Sequence, residues 1–152
     1  MTWYDFWLFL HVTAAIVWVG GAVAIQVFGV RTKQAADPAK TVFFAGNVSF
    51  TVQWIFLPSA LVIIASGVGL TETGHWDWGE PFIVFGLLLW AIVSLVAFGF
   101  LGREIGRAGA RLAAEGPSPA LGLRMRNLVW LSRVLLGILL LIVFLMTVKP
   151  GT

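Results

Sequence analysis

Residues 81–101 read PFIVFGLLLWAIVSLVAFGFL, an unbroken apolar run with no charged side chain. As a helix rising 1.5 Å per residue, such a run is about long enough to cross the ~30 Å hydrocarbon core of a bilayer. Three more long apolar stretches surround it: Phe6 to Val30, Val48 to Leu70 and Leu128 to Val148, the last with one charged residue, Arg133. Four crossings joined by modest connections predict an all-α fold, a four-helix antiparallel transmembrane bundle. The helices and their connections take up residues 1–152, so a single integral membrane domain is expected.

Composition agrees. Of the 152 residues, 59% are hydrophobic and 11% charged, whereas a soluble domain carries about 25% charged residues. The mean hydropathy is +0.94. The net charge of +3 does not point to nucleic acid, because the basic excess sits beside the spans. There is no cysteine, which excludes disulfides and thiolate metal sites. The first span has no basic segment before it and is too long for a signal-peptide core, so it reads as a retained helix.

Charge sets the expected orientation. Arg31, Lys33 and Lys40 lie between spans one and two, and Arg103, Arg107, Arg111, Arg124 and Arg126 between spans three and four. The segment between spans two and three holds Glu72, Asp77 and Glu80 and no Lys or Arg. The positive-inside rule puts the basic segments in the cytoplasm, giving an N-out/C-out protein of the bacterial cytoplasmic (inner) membrane. Trp3, Tyr4, Trp7, Trp76 and Trp78 then form an outer interfacial belt.

Local signals predict that helices 2 and 3 have cytoplasmic extensions. Asp37-Pro38 suits a helix start, Asp as cap and Pro in the first turn. Arg103, Arg107 and Arg111 repeat every four residues on one face of a continued helix three, until Gly116-Pro117-Ser118-Pro119 breaks it. That face is either simply solvated or in contact with anionic lipid headgroups. Short outer and longer inner connections are expected. Pro58 frees a carbonyl four residues back, so a kink near Trp54 is expected.

Few polar groups lie inside the spans, and each is a candidate for function. His11, Ala15, Trp18, Ala22 and Gln26 share one face of helix one, which joins two polar residues through small ones. His11 is either a ligand or a hydrogen-bonding contact between helices. Gln53 and Ser94 are the polar groups of spans two and three, and Arg133 either snorkels to the interface or meets an anion. His75, in the loop Thr71 to Trp78, and Met146, near the end of helix four, are expected on the same membrane side as His11. Imidazole suits haem iron, zinc and copper, and thioether suits haem or copper(I), so His11 with His75 or Met146 is a candidate cofactor or metal site. Gly20 and Gly21 suit close helix approach. No phosphate loop, nucleophile elbow or catalytic carboxylate pair is present.

Leu10-His11-Val12 followed by Trp18-Val19-Gly20-Gly21, with Asp37-Pro38-Ala39 and Ser66-Gly67-Val68-Gly69-Leu70, resembles a family of small bacterial four-helix integral membrane proteins of uncharacterised function. More distantly the chain resembles copper-resistance D membrane domains and HemJ-type protoporphyrinogen oxidases. The latter resemblance implies haem b at His11, with His75 as a candidate second ligand. It also implies a membrane lysine, which this chain lacks within its spans, and that argues against porphyrinogen oxidation. The copper-resistance resemblance implies copper handling at the periplasmic face. Three functions are therefore carried forward: a non-enzymatic scaffold or accessory subunit, a haem-b-binding redox protein, and a copper-handling protein. The expected partners are the lipid bilayer, its anionic headgroups, and a protein partner or a second copy.

Overall fold

Each span becomes one long helix because its apolar residues leave the backbone no partner but itself in hydrocarbon. The computed structural model describes residues 1–150. Its elements are α1 (Trp3–Ala35), α2 (Pro38–Thr51), a π-helical turn (Val52–Phe56), α3 (Leu57–Thr73), α4 (Pro81–Val96), a second π-helical turn (Ala97–Leu101), α5 (Gly102–Glu115) and α6 (Pro119–Val148). Through the two π turns, α2 continues into α3 and α4 into α5. The result is four helices able to cross a membrane, 3–35, 38–73, 81–115 and 119–148, with no strand among the described residues.

The helix starts are built by local chemistry. Thr2 and Asp5 form a reciprocal capping box on α1, with Thr2 Oγ1 accepting from the Asp5 N–H at 3.2 Å and Asp5 Oδ2 from the Thr2 N–H at 2.8 Å. Asp37 Oδ1 accepts from the Ala39 N–H at 2.9 Å, and Pro38 takes the first turn, as the sequence predicts. Ser118 caps α6 in the same way, accepting from the Leu121 N–H at 3.2 Å.

The segments between the apolar spans at the basic end are largely helical. The joints at the basic end are the short ones, residues 36–37 and 116–118, and the longest joint lies at the acidic end, residues 74–80. The charged segments are helix rather than loop. Caps at Asp37 and Ser118 start α2 and α6 well before their apolar stretches, and arginines spaced by four favour continued helix in α5. Pro58 brings a π turn at Val52–Phe56, where a kink was expected. The second π turn has no proline near it and faces the first. There a Cβ on Gly102 would lie 2.7 Å from Val52 Cγ1, so glycine lets the second and third spans touch.

Packing divides the bundle lengthwise. α1 lies mainly along α3, α2 along α5, and α4 along α6. α1 thus follows the second span over its α3 half and contacts the α2 half much less. Trp18, Val52, Phe56, Val93, Leu135 and Leu139 form the centre of the core. Trp18 is 2% exposed and stacks on Phe98 with ring centroids 5.6 Å apart. Large apolar side chains also cover the outside, among them Phe9, Ile16 and Leu95, as a lipid-facing surface requires.

Candidate functional site around His11

The α1 face that joins His11 to Gln26 turns inward, and both of its polar ends find partners on other spans. His11 Nδ1 lies 3.1 Å from the Ile63 carbonyl oxygen and 3.1 Å from Ser66 Oγ. A carbonyl can only accept, so Nδ1 carries the proton. The Ser66 hydroxyl donates to the Val62 carbonyl at 2.5 Å and therefore receives the same Nδ1–H through its oxygen. The proton on Nδ1 leaves Nε2 as the lone-pair nitrogen of the ring. At the other end, Gln26 Nε2 donates to Ser132 Oγ at 2.8 Å, joining the first span to the fourth.

Beside His11 lies a cavity of about 110 Å³ between α1, α3, α4 and α6. His11, Trp90, Met146, Trp76 and Trp78 are among its walls. Gly86 makes room for Met146, whose Cε sits where a Cβ would be. The α3–α4 loop supplies the two other tryptophans. Trp76 packs edge-on against Phe82 at 5.4 Å with Lys149 Nζ 4.3 Å from its ring centroid, and the Trp78 N–H donates to Glu72 Oε1 at 3.0 Å. Trp90 Nε1 and Ser94 Oγ, one turn apart on α4, are buried without a hydrogen-bond partner among the described residues.

His11 and Met146 thus share one cavity. His75 does not join them: it is exposed, with φ of 55°, at the turn that swings Trp76 inward. Among the described residues no three His, Asp or Glu side chains gather as a metal site. Trp18 is core. Gly21 abuts the Phe56 ring, whereas Gly20 faces open space and supports no helix contact. Gln53, Arg103, Arg107, Arg111 and Arg133 are exposed.

Glu104 is a site residue that sequence reasoning did not single out. It is 6% exposed and pairs with Arg124 of α6 and, at 2.8 Å, with Arg107. Hydrogen bonds from Arg124 and Arg107 hold its carboxyl below the usual carboxylate range. Small residues nearby, Gly102, Ala108 and Gly109, were the available signal that this side of α5 is packed. Trp90 was not singled out, and Ser66 entered only as part of the Ser66 to Leu70 run, since a serine and a tryptophan in an apolar run carry no spacing to set them apart.

No curated protein and no solved structure matches the chain. A family model does, over residues 6–150, which takes in all four spans. The chain belongs to the family described as predicted integral membrane protein (DUF2269).

Proposed function

We propose that the chain is a non-enzymatic scaffold or accessory subunit of the bacterial cytoplasmic membrane, with both termini outside and the basic end of the bundle in the cytoplasm. The observation that carries this reading is the use made of His11. Its Nδ1–H fixes the first span to the second through Ile63 and Ser66. Gln26 and Glu104 do the same between other pairs of spans. Polar side chains placed between helices hold a bundle in one arrangement. Gln53, an amide exposed on the outside of the second span, supports a protein partner on that face. The exposed Arg103, Arg107 and Arg111 support contact with anionic headgroups, and the exposed Arg133 suits a side chain that snorkels to the interface.

A second reading rests on the cavity. An Nδ1–H bonded to a carbonyl is how many metal-bound histidines are oriented, with Nε2 as ligand. Met146 is a thioether in the same cavity, a donor pair that suits copper(I). About 110 Å³ suits an ion or a few waters and is well below the ~300 Å³ of the smaller drug-sized pockets. A haem macrocycle exceeds it unless the tryptophans move.

The test is an absorption spectrum from 350 to 650 nm, metal analysis and thermal unfolding of wild type and His11→Ala, both from cells supplied with haem and copper. The scaffold reading expects no Soret band, no stoichiometric copper, and a lower melting temperature for the variant. A Soret band or one bound copper, lost in His11→Ala, would overturn it.

A further inference from the structure

Where α1 parts from α2, a cleft of about 740 Å³ remains, several times the size of the cavity beside His11 and within the ~300–1,000 Å³ range of ligand pockets. Its walls are apolar over most of their length, with Ala24 and Phe28 on one side and Phe43 and Phe44 on the other. Phe28 and Phe43 are 62% and 76% exposed, so the cleft opens to the surroundings of the bundle. One charged residue lines it, Lys40, in the first turn of α2. The α2 wall from Lys40 to Thr51 is about 16 Å long at the rise of an α-helix.

We infer that this cleft binds a single phospholipid with a net negative headgroup, its acyl chain between α1 and α2 and its phosphate at Lys40. The shape is that of an amphiphile, an apolar trough with a cation at one end. Charge complementarity selects an anion: no carboxylate lines the cleft, and Asp37, the nearest in sequence, faces the Ala39 N–H as helix cap. Arg31 and Lys33, in the last turns of α1, do not line the cleft. Thr32 and Asn47 line the cleft as well and add polar groups beside the apolar walls. A helix from a second copy fits less well. The cleft's one charged wall residue is a cation, which an apolar helix face would leave without a partner. The inference does not depend on the role given to His11.

Native mass spectrometry of the detergent-released protein tests it, with phosphatidylglycerol and phosphatidylethanolamine of matched chains added in competition. Wild type, Lys40→Gln, Lys33→Gln and Ala24→Phe are compared, with helical circular dichroism as the check on folding. Wild type and Lys33→Gln should retain phosphatidylglycerol with about fivefold preference, the worth of one cation near a charged headgroup. Lys40→Gln should lose the preference and still hold lipid, and Ala24→Phe, which fills the trough, should hold neither lipid. Equal retention of the two lipids by wild type would overturn the proposal. So would an equal loss of preference in the two lysine variants, lipid retention by folded Ala24→Phe, or a lipid-free dimer as the main species. If Ala24→Phe fails to fold, the lysine pair decides, since neither substitution disturbs packing.

Discussion

Glu104 on α5 and Arg124 on α6 join the third span to the fourth at the basic end of the bundle, and the two ends of that ion pair see different surroundings. The glutamate side chain is 7% exposed and the guanidinium 49%. The carboxylate is the member that depends on the pair. Arg124 can turn to water, but Glu104 is enclosed by its own helix and by Arg107.

This asymmetry predicts a pH dependence with a definite sign. The folded state holds the Glu104 carboxyl below its ordinary value of 4.5, so folding favours the ionised form. Its contribution is in full effect above that value and is lost as pH falls through the lowered one. Thermal unfolding in detergent should therefore show stability falling below about pH 4.5, with a flatter profile for Glu104→Gln in that range. At pH 7, Glu104→Gln should melt lower than wild type. Parallel profiles for the two proteins would show that the pair is inert.

Two glycines one turn-half apart on α3 should respond differently to the same change. A Cβ on Gly67 would rest 3.5 Å from His11 Cε1, an ordinary contact, and Gly67→Ala should leave stability nearly unchanged. A Cβ on Gly69 would strike the rigid indole of Trp7, and no flexible chain end is there to give way. Gly69→Ala should lose about 1–3 kcal/mol, the usual cost of overfilling a packed site. Denaturant titration of the two variants in mixed micelles measures the difference.

His75 should be replaceable with a gain. Its φ of 55° is a left-handed conformation that costs a residue with a Cβ roughly 1–2 kcal/mol and costs glycine little. Because the side chain is exposed and outside the cavity, His75→Gly should raise the melting temperature. If the variant melted lower, the imidazole would have a role that its position does not suggest.

How far the sequence could be read depended on whether a residue's partner was near it in the chain. The spans, the Asp37-Pro38 start and the stop at Gly116 follow from local rules of length, capping and backbone freedom, and they are found. The inward face of α1 was legible too, because its period lies in one helix. His11's partners were not: Ile63 and Ser66 lie on another span, and only the register between spans brings them together. Glu104 was hidden for a related reason. A glutamate among arginines reads as solvated until α6 is laid against it. The helical character of the charged segments was legible as well, from the cap at Asp37 and the four-residue spacing of Arg103, Arg107 and Arg111.

The π turn at Val52–Phe56 acts as a phase adjustment for the second span. An α-helix advances about 100° per residue, and a π turn accommodates one residue more than an α turn would. Everything after it, including Ile63 and Ser66, is thereby offset in angle relative to Lys40 and the α2 wall. Wound as regular α-helix with the same residues, the span would turn Ser66 about 100° away from His11 while leaving α2 in place on α5, whereas removal of one residue from the turn would leave Ser66 facing His11. The widened turn is thus what allows one helix to serve two neighbours, α5 over its first half and α1 over its second.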